Sequence, residues 1–345
     1  MAVSFFPDDI DSLVTRWLRP TPHHGINEQH WPELISKDTS AVGCHSHNDY
    51  WREVPLLSAL QAGCISVEAD IWLLEQDHQN YQSHQNYSGD LYVGHTASSL
   101  RAQRTLRDMY IDPLVKLLDQ KNPIASFYSV VGQPPNGVFD GNPAQSLSLL
   151  VDIKTDGMET WKYLVDSLGP LRQRGFLTYF NGIEVVNRPV TVVGTGNTPF
   201  NLVTATANSD YRDIFFDAPL HHLGESTANT ISSTKFHDGD NVGQGLTGTS
   251  PNTTATAFNM TNSFYASTSF KDTIGLPRLF GLTDQQVDVI RAHIRGAHSR
   301  GLKARYWGVP GWPPSLRDYI WSVLVREGVD ILNVDDLESV TVSPP

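Results

Sequence analysis

Two short stretches near the start of the chain constrain its fold more than any other feature. Cys44-His45-Ser46-His47-Asn48-Asp49-Tyr50 follows the apolar run Ala41-Val42-Gly43, and Ser66-Val67-Glu68-Ala69-Asp70-Ile71-Trp72 lies inside a second run over residues 65–74. Both read as β-strands whose polar residues arrive at the strand ends. Between them, Pro55-Leu56-Leu57-Ser58-Ala59-Leu60-Gln61-Ala62-Gly63 is apolar on one side and closed by a glycine, the pattern of a short helix with its C-cap. The unit is β-α-β. On its second strand Glu68 and Asp70 stand at i and i+2 and therefore share one face of the sheet. Two carboxylates beside a strand-end histidine make a poor core and a good site for a hard cation.

Further along, Leu147-Ser148-Leu149-Leu150-Val151-Asp152-Ile153-Lys154 is nearly continuous in apolar residues before it delivers Asp152 and Lys154. Continuous runs mark strands of a parallel sheet, whose two faces are both buried. Similar runs cover 91–95, ending on His95, and 190–193, 214–216, 264–268, 302–307 and 329–334. Helical spacing separates several of them. It covers 106–120, the segment carrying Trp161, Leu164, Val165, Leu168 and Leu171, and residues 316–325. Thr283-Asp284-Gln285-Gln286 has the form of a capping box and opens a helix with Val287, Ile290, Ile294 and Ala297 inward. About eight strands alternating with helices predict an α/β fold of the (β/α)8 TIM-barrel type rather than an open doubly wound sheet. Residues 1–40 read as an N-terminal strap with a short helix over 10–18. Residues 41–340 read as one catalytic domain. A Gly/Thr/Asn/Ser-rich insertion at 224–262 is expected over or near the barrel mouth.

Composition narrows the partners. With 37 acidic against 25 basic residues the net charge is −12, which argues against nucleic acid and anionic membranes. It leaves a small-molecule substrate or a zwitterionic lipid headgroup, bound by a monomer. No apolar run reaches the ~18 residues of a transmembrane helix, and no signal-peptide pattern is visible. Sequons at Asn86, Asn252 and Asn259 suit a secreted or extracellular protein. Two cysteines do not make a disulfide framework. Cys44 is expected near the top of one strand and Cys64 near the bottom of the next, beyond bridging distance, so both thiols are expected free.

The chemistry follows from the strand ends. Glu68, Asp70 and Asp152 would meet at a barrel mouth, and three carboxylates suit Mg²⁺ or Ca²⁺ rather than zinc. A lone strand-end acid is ordinarily just solvated; three from two strands, with histidines beside them, point to a cation. His45, His47 and His95 are the acid/base candidates. His45 and His95 are expected to form the working pair, while His47 lies past the strand end and is expected to hydrogen-bond only locally. Lys154 is either a partner for a phosphate oxygen or a counter-ion to the carboxylates. Nucleophile-elbow, zincin, Walker and dinucleotide-binding motifs are missing from the sequence. A glycoside hydrolase, which also uses paired carboxylates, and a non-catalytic ligand-binding barrel remain alternatives.

His-Ser-His-Asn-Asp-Tyr-x-Arg at 45–52, Ser-Val-Glu-Ala-Asp at 66–70, the strand ending in His95 and Val151-Asp152-Ile153-Lys154 together resemble the PLC-like phosphodiesterase superfamily. That superfamily includes the glycerophosphodiester phosphodiesterases and sphingomyelinase D, and the match is nearest to the fungal "altered inheritance of mitochondria" proteins. The resemblance implies a TIM barrel and metal-dependent hydrolysis or lyase cleavage of a glycerophosphodiester, phospholipid or sphingolipid-type phosphodiester. It implies His45 and His95 as catalytic histidines, Glu68, Asp70 and Asp152 as metal ligands, and Lys154 as a phosphate-facing lysine. Trp307 matches a pocket aromatic, and Asp335 an acid at the close of the last strand. The spacing His45-x-x-Asn48 is nearer the sphingomyelinase D form. Ser46 stands where the glycerophosphodiesterases carry arginine, a charge that Arg52 would replace, and Thr96 stands where they carry aspartate.

Overall fold

The computed structural model describes residues 39–74, 89–123, 133–205, 210–224, 247–249, 253–277 and 281–342. The expected strap, and the sequons at Asn86 and Asn252, lie outside them. The apolar runs do form parallel strands: β1 (Val42–Ser46), β2 (Cys64–Leu73), β4 (Leu147–Ile153), β7 (Val190–Gly196), β8 (Ile214–Pro219), β9 (Ser263–Ser269), β10 (Lys303–Trp307) and β11 (Ile331–Val334). Each pairs in parallel with the next, and β11 pairs back onto β1, closing an eight-stranded barrel. The TIM-type architecture is therefore present, with strand C-termini opening on one mouth.

Among the described residues, three strands are not part of the ring. β3 (Leu91–Val93) runs antiparallel to the last residues of β2, through Ile71↔Val93, Trp72↔Tyr92 and Leu73↔Leu91. The run ending in His95 is thus a flap on an overhanging strand rather than a barrel stave. β5 (Tyr179–Phe180) and β6 (Val185–Val186) make a two-residue hairpin before β7, too short to leave a period in the sequence.

The helices follow their signals. α1 (Leu57–Gln61) connects β1 to β2, and α2 (Asp112–Lys121) carries Leu114, Leu117 and Leu118 into the core. One π-turn, Arg107–Ile111, precedes α2. Pro113 at its start has no N–H for an i→i−4 bond, which accounts for the irregular turn there. α3 (Gly157–Ser167) is capped by Asp156, whose side chain accepts from the Glu159 amide. α4 (Asp284–His298) opens on the expected capping box, Thr283 and Gln286 each satisfying the other's backbone N–H. α5 (Pro314–Glu327) returns the chain to β11.

Most apolar side chains pack between the barrel wall and these helices. The barrel interior holds a smaller apolar cluster of Leu150, Val193, Tyr265 and Ile331, interleaved with buried Ser66, Ser148 and Arg305. Such a plug supports the mouth without filling it. The described end of the 224–262 insertion, residues 253–262, leads into the N-terminal end of β9, opposite the mouth; Met260 bonds there to the Arg300 carbonyl.

The cysteine expectation is corrected. Cys44 and Cys64 form a disulfide with their Cα atoms 4.7 Å apart. The cysteines do not sit at opposite ends of neighbouring strands. Register places Val42 opposite Cys64 and His45 opposite Ser66, so Cys44 stands about one residue along from the level of Cys64.

Candidate active site

At the mouth, strand alternation brings Glu68 and Asp70 of β2 and Asp152 of β4 together, with Asp70 and Asp152 paired across the ladder. Each offers an oxygen, and these oxygens lie within 4.8 Å of one another. Glu68 and Asp70 are 5% and 1% exposed, so their charge needs partners. Lys154 supplies one, its Nζ 2.7 Å from Asp152 Oδ2 and 3.0 Å from Asp70 Oδ2. The other oxygen of Asp70, Oδ1, is buried and has no hydrogen-bond partner. A buried, unpartnered carboxylate oxygen facing two more carboxylates fits a divalent cation with oxygen ligands. Burial, joined by the Asp70 and Glu68 charges and opposed by Lys154, pushes the Asp152 carboxyl up to about 6. The same carboxylates raise the Lys154 pKa against the effect of burial, so the ammonium stays charged.

The two histidines of the first motif differ sharply in setting. His45 is fully buried, with Nδ1 2.7 Å from Ser66 Oγ and Nε2 3.4 Å from Glu68 Oε2. Burial, reinforced by Arg305, lowers its pKa to about 4. The neutral ring then donates from Nε2 to Glu68 and accepts the Ser66 hydroxyl at Nδ1. His47 is partly exposed. Its Nδ1 donates to Asp335 Oδ1 at 2.6 Å, and its Nε2 lies 3.9 Å from Glu68 Oε2. Burial alone would lower its pKa, but the Asp335 and Glu68 charges outweigh burial and raise it to about 9. His47 therefore does not bond only locally, as its position past the strand end suggested. Its partner is 288 residues away, on the loop after β11.

His95 stands beyond the flap, its side chain 36% exposed and Nδ1 3.4 Å from Asp70 Oδ2. Tyr50, which the sequence reading left without a role, ties this side together. Its hydroxyl lies 2.8 Å from Asp70 Oδ2, 2.5 Å from Asn48 Oδ1 and 3.2 Å from His95 Nδ1. Burial and the Asp70 and Glu68 charges raise its pKa strongly, so the phenol keeps its proton. Asp49 is a second such residue. It is fully buried and accepts from Ser46 Oγ, the Leu56 amide and the Tyr110 hydroxyl, bracing the turn that carries Tyr50. Only the invariant demand that a buried carboxylate be satisfied would have flagged it.

The remaining expected residues divide. Asn48 sits in the left-handed region, φ 47°, which asparagine tolerates, and its backbone N–H reaches Glu68 Oε2 at 2.9 Å. Its side-chain oxygen accepts from the Tyr50 hydroxyl, so Asn48 braces both Glu68 and Tyr50. Arg52 is engaged with the carbonyls of Asp335, Val334 and His47 and with Ser46 Oγ, clamping the turn to the end of β11. Trp307 ends β10 with a buried indole N–H that has no partner, and Asp335 lines a small cavity of about 70 Å³ with Asn333, Asp336 and Val309.

A family model described as the AIM6-like phosphodiesterase domain matches residues 33–217, which span β1 to β8 and all three carboxylates. The chain belongs to this family. Altered inheritance of mitochondria protein 6 homolog of Arthroderma benhamiae is 35% identical over 319 residues, 90% of this chain and 86% of that protein. Altered inheritance of mitochondria protein 6 of Eremothecium gossypii is 35% identical over 311 residues, covering 86% of this chain and 68% of its own length. The Lachancea thermotolerans protein of the same name is 35% identical over 329 residues, 89% of this chain and 68% of its own. No solved structure matches the chain. The AIM6-like match covers the motif residues 45–52, the Glu-x-Asp pair and Asp152, and stops before Trp307 and Asp335.

Proposed function

We propose that the protein is a divalent-metal-dependent phosphodiesterase in which His47 and His95 share acid–base catalysis across the Glu68, Asp70 and Asp152 cluster. The observation that carries this reading is the bracing of each histidine by a carboxylate, Asp335 for His47 and Asp70 for His95, on either side of that cluster. Such bracing fixes a ring's tautomer and orientation. His45, with both nitrogens occupied and no exposure, orients Glu68 from below and takes no part in proton transfer. A bound Mg²⁺ or Ca²⁺ would neutralise charge on the phosphoryl oxygens. One histidine then takes the proton of the attacking hydroxyl and the other protonates the leaving oxygen. Lys154 holds Asp70 and Asp152 together and presents a cation to the phosphate.

Substrate is proposed as a lipid or small-molecule phosphodiester. A secreted or extracellular location belongs to the same proposal and is supported by the disulfide, since such bonds persist in oxidising compartments. The test is turnover of glycerophosphodiesters, lysophospholipids and sphingomyelin with Mg²⁺, Ca²⁺ or EDTA, with products resolved by mass. Release of an alcohol or a cyclic phosphate that EDTA abolishes is the expected result. Metal-independent turnover, or hydrolysis of glycosides instead, overturns the reading.

A further inference from the structure

β1 and β2 do not run in even register. Val42 stands opposite Cys64 and His45 opposite Ser66, so three steps along β1 span two along β2. The extra residue lies in Gly43-Cys44, and bulges of this kind are rare in parallel ladders. The disulfide joins one of those bulge residues, Cys44, to Cys64 at the start of β2. Facing follows from the count. Ser66, Glu68 and Asp70 share the inner side of β2. With no extra residue, Cys44 would stand opposite Ser66. Cys44 and Ser46 would then point inward, and His45 and His47 would turn toward the helices, because a one-residue slip exchanges the two faces of a strand. The glycines before each cysteine fit the same device. A Cβ on Gly43 would stand 3.0 Å from the Asp330 carbonyl oxygen, and one on Gly63, at φ +82°, 2.3 Å from that of Ser40.

We infer that the Cys44–Cys64 disulfide is a positioning element that holds the β1 bulge and thereby turns both first-motif histidines into the barrel. This rests on the proposed role of His47, but the register it sets is measurable without any reaction. Both cysteines are fully buried, so the bond is a built-in clamp and not a surface switch.

The test is Cys44→Ala/Cys64→Ala in the full chain. The variant is expected to keep its circular dichroism at 25 °C and to lose phosphodiester turnover by about 10²-fold, the contribution of one acid–base group. Cross-strand nuclear Overhauser effects between His45 and Ser66 should disappear, replaced by effects between position 44 and Ser66. Retention of the His45–Ser66 effects overturns the inference, whatever the turnover. Should the native protein turn over no phosphodiester, the functional reading fails while the register measurement still decides the clamp. Should the double variant not fold, Cys44→Val/Cys64→Ala refills the lost sulfur volume; failure of both makes the bond a folding requirement and overturns its assignment as a positioning element.

Discussion

One arc of the barrel, β11–β1–β2–β4, carries Glu68, Asp70 and Asp152 on its strands and His47 and Asp335 just past their ends; the opposite arc, β7–β8–β9–β10, ends in Gly196, Pro219, Ser269 and Trp307. The two arcs share the same parallel ladder and the same helical cover, so backbone architecture does not distinguish them. What differs is the side chains that each arc brings to the mouth. On the first arc the carboxylates and histidines cluster and brace one another; on the second the last residues are uncharged, and Asp217 and Arg305 are buried within their strands. The barrel thus separates a reactive wall from a permissive one, and the site is the space between them.

Neutralising a carboxylate on the reactive wall is the most damaging change. Asp70→Asn removes a ligand, the Lys154 contact and the bond that supports His95, and turnover is expected to fall by roughly 10³-fold or more. Titration calorimetry with Mg²⁺ alone should show binding lost in parallel. Next come the histidines. His47→Ala and His95→Ala should each lose about 10²–10⁴-fold in turnover and should not add when combined, because both serve one transition state. His45→Ala should lose only about tenfold, as expected for a group that orients a ligand. An inactive His45→Ala beside an active His47→Ala would reverse the roles given to the pair.

The permissive wall has one position where its emptiness matters. Gly196 has φ +63°, and a Cβ there would fall 2.0 Å from Asp152 Oδ1. Gly196→Ala should weaken Mg²⁺ affinity about 10- to 100-fold by displacing that carboxylate, with His47 untouched. Unchanged affinity would show that Asp152 is not a ligand. The smallest effect is on stability. The His47 pKa is about 9 when folded against 6.5 unfolded, so its stabilisation is complete below pH 6.5 and is lost as pH rises through 9. Discounted for the solvent around Asp335, it amounts to on the order of 1–2 kcal/mol. Urea melts of metal-free protein at pH 6 and pH 10 should show this loss, and Asp335→Asn should flatten it.

Much of this arrangement was legible in the chain. Glu68, Asp70, Asp152 and Lys154 could be placed because alternation along an unbroken strand needs no knowledge of the neighbours. The closed barrel followed from continuous apolar runs, and α4 from its capping box. Register was not legible. Which of His45 and His47 faces the cluster depends on a bulge set between two strands, and the disulfide escaped notice because the level of Cys44 against Cys64 depends on that same pairing. Tyr50 lies on a 3-10 turn and Arg52 caps its end, where neither a two- nor a 3.6-residue period says which way a side chain leaves. The flap was read as a stave because three apolar residues look alike in parallel and antiparallel pairing.

That flap sets an order of events. β3 is held by the overhang of β2, by the Gly94 amide on the Asp70 carbonyl, by the Trp72 indole on the Gly94 carbonyl, and by its pairing with Arg104 and Thr105, none of which closes the barrel. The ring can be complete, with the three carboxylates gathered, before His95 arrives. His95 can then leave Asp70 without any ladder of the ring being broken. A fragment able to open by itself exchanges its amides through local rather than global unfolding. Local opening of this flap would carry His95 away from Asp70 while the barrel is still whole.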